Sequence, residues 1–379
     1  MTSTDPSARA VIDIVIGTRP EAIKMAPVIL ELRRRSDFTV RVVSTGQHTD
    51  MMRQALGFFS IAPDVDLGIM KRVQSLDYIT SSVLTGAGEL FDANPPNAVL
   101  VHGDTTTTFA ASLAAFHRHI PVGHVEAGLR SFDMRLPFPE EMNRVLTDRL
   151  AKWLFAPTDQ AASNIAREGV MSGAGVYVTG NTVIDALFAA LQTVKKRGAP
   201  DIPGLEGGSP FILMTAHRRE SWGEPMNRIC RALLELLTRH EDYMALVPMH
   251  KNPLVRDAMR AALGGNKRIV LCEPLDYPDF VWALGGCKII LSDSGGVQEE
   301  ASALGKPVVV LRDVTERPEA VERGTAILAG SNDARIVETA DRLLSDEAEY
   351  SRIERRKEDN PFGDGRASIR IADILASAI

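Results

Sequence analysis

Cysteine is scarce in this sequence, with three residues among 379. Cys230, Cys272 and Cys287 are too few and too widely spaced for a disulfide framework or for a Cys-x-x-Cys metal pair. Free cysteine is among the most buried residue types, so we expect all three in the core.

Long apolar runs are also missing. No stretch reaches the roughly 18 apolar residues that a membrane-spanning helix needs. The opening MTSTDPSARA is polar and lacks the charged and then apolar order of a secretory signal. We therefore expect a cytoplasmic protein with no membrane partner.

The sequence has no excess of basic residues, because 43 Lys and Arg stand against 49 Asp and Glu, a formal net charge of −6. This balance argues against a nucleic-acid partner, which favours a basic surface. The dinucleotide fingerprint G-x-G-x-x-G is incomplete too, since GAGELF and GAGVYV each stop at two glycines. We therefore expect no nicotinamide cofactor.

What the chain does contain is a regular alternation of short apolar runs with amphipathic stretches, which predicts parallel βαβ units. The runs are VIDIVIGT, VRVVSTG, AVLVHGD, PVGHVEAG and WLFAPT, and then FILMTAH, MALVPMH, RIVLCEP, KIILSDSGG and PVVVLRD. Between the two sets, charge, proline and glycine predict a linker over residues 186–209. We predict an N-terminal Rossmann-like domain over residues 1–185 and a C-terminal one over 210–360. A final helix in 361–379 can pack on either domain, and we favour the N-terminal one.

Polar and glycine-rich residues cluster immediately after these predicted strands. Ligands of doubly wound sheets bind beyond the carboxyl ends of the strands. We therefore predict an α/β fold of two doubly wound Rossmann-like domains with an interdomain active-site cleft. The clusters are residues 17–20, 103–104, 126–128, 217–220, 294–296 and 317–318.

The segment LSDSGGVQEEASALGKP predicts a strand, a small-residue turn at Ser294, Gly295 and Gly296, and a helix. Such a turn lets the backbone approach a phosphate at a helix N-terminus, although a plain tight turn is the alternative. Glu300, one turn into the helix, suits ribose hydroxyls, unless it is simply a solvated carboxylate. We interpret Glu299 as exposed.

The turn GTRPEAIKMAP places Arg19 and Lys24 near the start of a predicted helix. Cations are disfavoured at a helix N-terminus unless an anion is nearby, so these two either bind an anionic ligand or form a surface pair. In the second domain, His217 and Arg317 occupy a similar edge. A guanidinium suits bidentate contact with phosphate.

Two carboxylates end successive predicted strands, in His102-Gly-Asp104 and His124-Val-Glu126. All four side chains could ligate a metal if they converged. We favour the other interpretation, in which the acids exchange protons, the histidines are structural and no metal is bound. Glu140, in the loop segment FPEEMNR, is a third acid, or else only a first-turn helix carboxylate. Neighbouring carboxylates shift one another's proton affinity, which lets one act as acid and another as base.

Eight segments taken together resemble the bacterial non-hydrolysing UDP-N-acetylglucosamine 2-epimerases. They are GTRPEAIKMAP, HGDTTTTFAASLAAF, GHVEAGLRS, PFPEEMNR, TGNTVIDAL, TAHRRES, DSGGVQEEASALGKPV and TERPEAVERGT. The resemblance implies a GT-B fold and interconversion of UDP-N-acetylglucosamine with UDP-N-acetylmannosamine, without a nicotinamide cofactor or an obligatory metal. It also implies a route through loss of UDP to 2-acetamidoglucal and re-addition of UDP.

The resemblance further implies roles for individual residues. Proton transfers would fall to Asp104, Glu126 and Glu140, with His217 as acid or electrostatic helper. The UDP-binding set would be Arg19, Lys24, Asp104, Glu126, His217, Leu275, Phe280, Ser294, Gly295, Gly296, Glu300 and Arg317, with uracil in the stretch 275–280. Some relatives bind a second substrate molecule as activator, which here would use Gln47, Gln74 and His250, although Val73 stands where some of them carry arginine. Relatives are often homodimers.

Three other functions stay open at this point. A GT-B glycosyltransferase would transfer the sugar to an acceptor. A hydrolysing epimerase would release N-acetylmannosamine and UDP. A nucleotide-sugar sensor would bind its ligand without turnover.

Overall fold

The computed structural model describes residues 9–47, 49–71, 74–169, 171–205 and 208–379. The chain divides into two units, of which the first contains Met1–Ala186 together with Phe362–Ile379 and the second contains Leu187–Pro361.

In chain order the elements are β1 (Ala10–Ile16), α1 (Arg19–Arg34), β2 (Phe38–Ser44), α2 (Thr49–Phe58), β3 (Val65–Asp66), α3 (Leu76–Ala93), β4 (Ala98–His102), α4 (Thr106–Phe116), β5 (Val122–Val125), α5 (Glu140–Leu150), β6 (Trp153–Ala156), α6 (Asp159–Glu168), β7 (Gly175–Val178), α7 (Thr182–Arg197), β8 (Phe211–Thr215), α8 (Glu224–Arg239), β9 (Met244–Pro248), α9 (Pro253–Leu263), β10 (Ile269–Cys272), α10 (Tyr277–Gly286), β11 (Ile289–Ser292), α11 (Gly295–Leu304), β12 (Val308–Val310), α12 (Pro318–Glu322), β13 (Ala326–Leu328), α13 (Asp333–Ser345), α14 (Glu347–Glu354) and α15 (Ala367–Ala378). Short 3₁₀ helices cover Arg219–Ser221 and Arg355–Asp359.

The first unit contains a parallel sheet of seven strands in the order β3-β2-β1-β4-β5-β6-β7. Its central strands β4, β5 and β6 are buried along their whole length, which explains why they read as continuous apolar runs. The strand order reverses direction between β1 and β4, and such a switch point opens a crevice at the carboxyl ends of the strands. The loops after β1 and β4 therefore lie where a ligand is expected.

The second unit repeats this plan with six parallel strands in the order β10-β9-β8-β11-β12-β13. Its switch point lies between β8 and β11, so the residues after Thr215 and Ser292 flank it. Helix α8 shows how the sequence builds the core. Its buried residues recur at intervals of three and four, which places them on one face against the sheet, and they are Met226, Ile229, Cys230, Leu233, Leu236 and Leu237.

The C-terminal helix belongs to the first unit. The Asp185 carboxylate, on α7, accepts hydrogen bonds from Ala367 N at 3.1 Å, Ser368 N at 2.8 Å and Ser368 Oγ at 2.6 Å, and so caps the start of α15. Burial raises the pKa of the Asp185 carboxyl. The Phe362 carbonyl also accepts a hydrogen bond from Asn181 N at 2.7 Å, which fixes the approach to the helix.

The structure confirms a β-strand within each of the ten apolar runs and adds three short strands that the sequence did not predict, β3, β7 and β13. Helix α7 continues to Arg197, so helix occupies the first part of the segment predicted as a linker. Its charged residues 195–197 belong to the last helical turn, where cations favour the helix dipole. Cys230 and Cys287 are buried as expected, whereas Cys272 is partly exposed. Within the described residues, no helix is long and apolar enough to cross a membrane.

Candidate active site

The loop after β1 is organised by a buried carboxylate, Glu21. Its Oε2 accepts hydrogen bonds from Gly17 N at 2.8 Å and Thr18 N at 2.6 Å, and its Oε1 accepts one from Thr105 Oγ1 at 2.6 Å. A methyl group at Gly17 would lie 2.5 Å from Thr107 Oγ1, so this position has room only for glycine. Glu21 thereby ties the β1 loop to the residue that follows Asp104.

Glu126 lies directly after β5 with a φ of +69°, a conformation that a residue with a side chain rarely adopts. It is 9% exposed. Its Oε2 accepts hydrogen bonds from the Lys24 ammonium and from Asn181 Nδ2, the latter at 2.8 Å, and lies 3.7 Å from His102 Nε2. The anion that faces Lys24 is thus a carboxylate of the protein, and the ammonium favours the ionised form of that carboxylate.

His124 is fully buried, and both of its ring nitrogens are engaged. Nδ1 lies 2.6 Å from Asp148 Oδ1 and Nε2 lies 2.7 Å from the Gly103 carbonyl oxygen. Burial would raise the pKa of the Asp148 carboxyl, but His124 and Arg130 hold it below its ordinary value. Since both nitrogens face acceptors, His124 presents no lone pair to a metal, and the four-ligand interpretation loses one of its ligands.

Asp104 follows β4 and is held by helix α5. Its Oδ2 accepts a hydrogen bond from Arg144 Nη2 at 2.6 Å, and its backbone carbonyl accepts one from Asn143 Nδ2 at 2.9 Å. The pairing of β4 with β5 places Gly103 beside Glu126, because Gly103 N donates to the Val125 carbonyl at 2.9 Å. Asp104 and Glu126 therefore end neighbouring strands of one sheet.

Glu140 is the first residue of α5, one helical turn before Arg144. Its Oε2 is buried and has no hydrogen-bond partner among the described residues. The next residue, Glu141, differs: it is 1% exposed and accepts hydrogen bonds from Ser131 N at 3.0 Å and Phe132 N at 2.9 Å. Of the two adjacent acids, Glu141 thus fixes the preceding loop, and Glu140 carries the carboxyl oxygen with unused hydrogen-bonding capacity.

Two of the three residues predicted to bind an activator lie together in the first unit. Gln74 Nε2 is 3.3 Å from the Gln47 carbonyl oxygen, and Gln47 Oε1 accepts a hydrogen bond from Thr107 Oγ1 at 3.0 Å. Gln47 therefore contacts helix α4, which begins just after Asp104. Val73 lies outside the described residues.

In the second unit, the glycine turn forms the N-terminus of α11, with Ser294 at the cap position. A Cβ at Gly295 would lie 3.8 Å from Arg317 Cζ, and a Cβ at Gly296 would meet nothing within 4 Å. The Arg317 guanidinium thus lies beside the backbone amides at the N-terminus of α11, a combination suited to an anion. Arg317 also donates from Nε to the Glu299 carboxylate.

The interpretation of Glu299 as an exposed residue is wrong, because it is 1% exposed. An isolated buried carboxylate is costly, and the Arg317 guanidinium supplies the partner that compensates for it. Glu300 is also buried and accepts a hydrogen bond from the Tyr277 hydroxyl at 3.3 Å. It is therefore not a solvated carboxylate. Tyr277 falls within the predicted uracil stretch, where Leu275 and Phe280 are both partly exposed.

His217 and His250 stack with ring centroids 5.9 Å apart. Asp293, which is fully buried after β11, accepts from His217 N at 2.9 Å, and its Oδ1 lies 3.2 Å from His217 Nδ1. Burial would raise the pKa of the Asp293 carboxyl, but the contacts with His217 hold it below its ordinary value. Burial first, and then the charge of His217, lower the pKa of His250.

The structure also adds polar residues that sequence reasoning did not single out, namely Glu21, Asn181 and Arg144 in the first unit and Tyr277 and Asp293 in the second. All except Arg144 follow a strand or start a helix at the carboxyl edge of a sheet. That position is a usable signal, whereas the partner of each residue is not readable from the sequence. Among the parts of the chain that the structure describes, no group of three His, Cys, Asp or Glu side chains is arranged to hold a metal ion.

Two doubly wound units with polar groups at their switch points place the chain among two-domain Rossmann-like α/β proteins. A family model described as UDP-N-acetylglucosamine 2-epimerase matches residues 30–376. The UDP-N-acetylglucosamine 2-epimerase of Escherichia coli O157:H7 is 48% identical over 367 residues, which cover 95% of this chain and 97% of that protein. The protein of the same name from Bacillus subtilis strain 168 is 49% identical over 361 residues, covering 95% and 93%. A crystal structure of UDP-GlcNAc 2-epimerase from Neisseria meningitidis bound to UDP-GlcNAc has a TM-score of 0.90 and 46% identity, covering 97% of this chain and 100% of that one.

The chain therefore belongs to the UDP-N-acetylglucosamine 2-epimerase family. The similarity to the solved structure over nearly the whole chain also confirms the predicted fold class, GT-B with two Rossmann-like domains.

Proposed function

We propose that this protein interconverts UDP-N-acetylglucosamine and UDP-N-acetylmannosamine by eliminating UDP and adding it back, without releasing a free sugar. Membership of the family and the Neisseria relative bound to UDP-GlcNAc support the substrate. The observation that carries the chemistry is the placement of Asp104 and Glu126 after neighbouring strands in different environments, with Glu140 at the start of the helix that holds Asp104.

Glu126 has the properties of a base. The Lys24 ammonium favours the ionised form of the carboxyl, which is the form that can accept a proton, and Glu126 directly follows β5 at the carboxyl edge of the sheet. We assign Glu140 as a proton donor, since its buried Oε2 has no hydrogen-bond partner among the described residues and is the carboxyl oxygen with unused hydrogen-bonding capacity. We assign Asp104, ion-paired with Arg144, to the same group of acids.

In the second unit, the amides at Gly295 and Gly296 and the Arg317 guanidinium would bind the diphosphate, and Glu300 would bind the ribose. Binding the diphosphate there spreads the charge that develops when UDP leaves and keeps UDP close for its return. His217, half-exposed beside the buried Asp293, would face the phosphate as acid or electrostatic helper.

The reaction balances without an oxidant or reductant. One carboxylate takes the C2 proton while the C1–O bond breaks, and the electron pair of the C2–H bond forms the C1=C2 bond of 2-acetamidoglucal. UDP leaves with the electron pair of the C1–O bond. A second acid then protonates C2 on the opposite face, and UDP re-forms the bond to C1.

A proton NMR time course in deuterated water tests the proposal with UDP-N-acetylglucosamine as substrate. We expect UDP-N-acetylmannosamine to accumulate, with deuterium at C2 of both sugars at equilibrium. Accumulation of free N-acetylmannosamine and UDP would identify a hydrolysing epimerase, and turnover only with an acceptor would identify a glycosyltransferase. Binding of UDP-N-acetylglucosamine without conversion to any product would indicate a nucleotide-sugar sensor.

We also propose that Gln47, Gln74 and His250 take part in activation by a second UDP-N-acetylglucosamine molecule and that the protein is a homodimer. The contact of Gln74 with Gln47 and the stacking of His250 on His217 support the first proposal. Sigmoidal dependence of rate on substrate that becomes hyperbolic in a Gln47→Ala variant would support activation, and hyperbolic wild-type kinetics would refute it. Light scattering of the protein as it elutes from a size-exclusion column measures the oligomeric state.

A further inference from the structure

The segment TGNTVIDAL contributes to the family resemblance, yet no role in the reaction has been assigned to it. It follows β7 and contains Asn181, which is 2% exposed. Asn181 lies 55 positions from Glu126 in the sequence, but its Nδ2 donates to Glu126 Oε2 at 2.8 Å. The segment therefore reaches one of the residues to which we assign proton transfer.

The orientation of the Asn181 amide is determined by its surroundings. Oδ1 accepts a hydrogen bond from Val183 N at 3.0 Å, at the start of α7. The oxygen is therefore committed to the helix, and the amide nitrogen must face Glu126. The backbone is fixed as well, because Asn181 N donates to the Phe362 carbonyl at 2.7 Å. The preceding Gly180 packs so closely on Gly363 that a Cβ at Gly180 would lie 3.3 Å from the Gly363 Cα.

We propose that Asn181 is a positioning residue for the reaction: it holds Glu126 Oε2 as an ionised acceptor and so directs the Oε1 side of that carboxylate to the substrate. This inference rests on the proposed function. Lys24 from α1 and Asn181 from the β7–α7 loop both donate to Oε2. Oε1 lies on the side of Gly103, where a Cβ added to that glycine would be 3.7 Å from it, that is, toward the loop that carries Asp104.

Two titratable groups also face Glu126 and share control of its charge. The Lys24 ammonium comes from α1, and His102 Nε2, at 3.7 Å from Oε2, comes from β4. Both favour the carboxylate when charged, so a change at Asn181 acts on a site with cations already in place. The neutral amide adds a donor of fixed direction, which an ammonium with three rotatable donors does not supply.

Asn181→Asp isolates this role. Aspartate has nearly the same volume and still accepts the Val183 N–H, so the cap of α7 is kept. The donor beside Glu126 becomes a carboxylate oxygen, and two carboxylates in contact cannot both ionise easily. We expect kcat near neutral pH to fall about 10- to 100-fold, as when a group that orients a reactive residue is lost. The acid limb of the kcat profile should move up by one pH unit or more, and KM should change less than about threefold.

Asn181→Ser replaces the amide donor by the hydroxyl of a shorter side chain, adds no charge and also suits a helix cap. This variant should lower kcat without moving the acid limb of the kcat pH profile upward. It provides the test of Asn181 if Asn181→Asp does not fold. Asn332→Asp is the matched control, because Asn332 caps α13 in the second unit by accepting from Arg335 N at 3.0 Å. That control should keep wild-type kcat and pH dependence.

A second readout does not depend on turnover. In ligand-free protein carrying ¹³C at the glutamate carboxyls, the Glu126 signal is identified by its loss in Glu126→Gln. Its titration midpoint should be higher in Asn181→Asp than in the wild type. If wild-type protein does not epimerise the sugar but the midpoint still moves, the proposed function fails and the contact assigned to Asn181 stands. Unchanged midpoint and unchanged kcat profile in Asn181→Asp would overturn the inference.

Discussion

Glu126→Gln tests the proposed function at a single group, because glutamine keeps the size of the side chain and the same backbone preferences. The residue at φ +69° is thus no more strained than before. The amide oxygen can still accept from Lys24 or Asn181, but the amide cannot take the C2 proton. Loss of a general base lowers turnover by roughly 100- to 10,000-fold. At about 1.4 kcal/mol per factor of ten, this corresponds to about 3 to 5.5 kcal/mol of transition-state stabilisation.

The same substitution should cost little in ligand affinity and a measurable amount in stability. Lys24 and Glu126 retain side-chain exposures of 12% and 8%, so the ion pair is largely but not fully buried. Replacing one partner by a neutral acceptor should lower the free energy of unfolding by about 1 to 3 kcal/mol. The UDP affinity should stay within about threefold of the wild type, because the protein groups that we propose to bind the diphosphate belong to the second unit.

The assay combines the NMR time course for kcat, calorimetric titration with UDP and thermal unfolding. Glu31→Gln is the matched control: Glu31 lies on the same helix as Lys24 and accepts from Arg34 and Arg35, but it lies in the last third of α1, away from the strand ends. It should lose some stability and no turnover. A kcat of Glu126→Gln within about threefold of the wild type, in folded protein that binds UDP, would refute the assignment of Glu126 as a base.

Three further substitutions report on other parts of the structure. Arg144→Lys should lower kcat at least about tenfold with UDP affinity unchanged, since lysine cannot reproduce the guanidinium contact to Asp104; wild-type kcat would contradict this. Gly17→Ala should lower the free energy of unfolding, measured by urea titration, by about 1 to 3 kcal/mol because the methyl group overlaps two threonine hydroxyls. Gly57→Ala is the control: a methyl group there would meet no atom within 4 Å, so the variant should be neutral or stabilising. The pKa of Asp293 is lowered in the folded state, so its stabilisation is complete above its unfolded pKa of about 3.9 and is lost as pH falls below that value toward the folded pKa. Asp293→Asn should flatten this acid limb of the stability profile, and an identical slope would contradict the role of Asp293.

The central strands of both sheets could be predicted from the sequence because burial on both faces makes them continuous apolar runs. The missed strands β3, β7 and β13 all lie at sheet edges. They are short, and β7 has only partly buried or exposed residues, so their apolar signal is weak. Missing β7 has a consequence for the site, since without that strand the position of Asn181 at a strand end is not recognisable.

The residue types of the candidate site could be predicted because they follow strands, where ligand groups of doubly wound sheets gather. Pairing could not be predicted, since it depends on contacts between distant positions. Glu299 and Glu300 are adjacent helix acids with the same local sequence signal, yet one is neutralised by Arg317 and the other accepts from Tyr277. Likewise, the cation pattern at Lys24 correctly indicates an anion, but no local pattern distinguishes a bound ligand from the Glu126 carboxylate.

The return of the last helix to the first unit constrains how the chain can fold and be divided. During synthesis, α7 and the loop before it emerge long before Phe362, Ala367 and Ser368, on which Asp185 and the Asn181 backbone rely. The first unit therefore cannot complete its hydrogen bonding until the ribosome has made the second, although domains commonly form in order from the N-terminus. A fragment ending at Ala186 would expose the face of α1 that α15 covers, so a division at that point yields no intact N-terminal half. Removal of the C-terminal helix would likewise damage the half of the protein that is most distant from it in sequence.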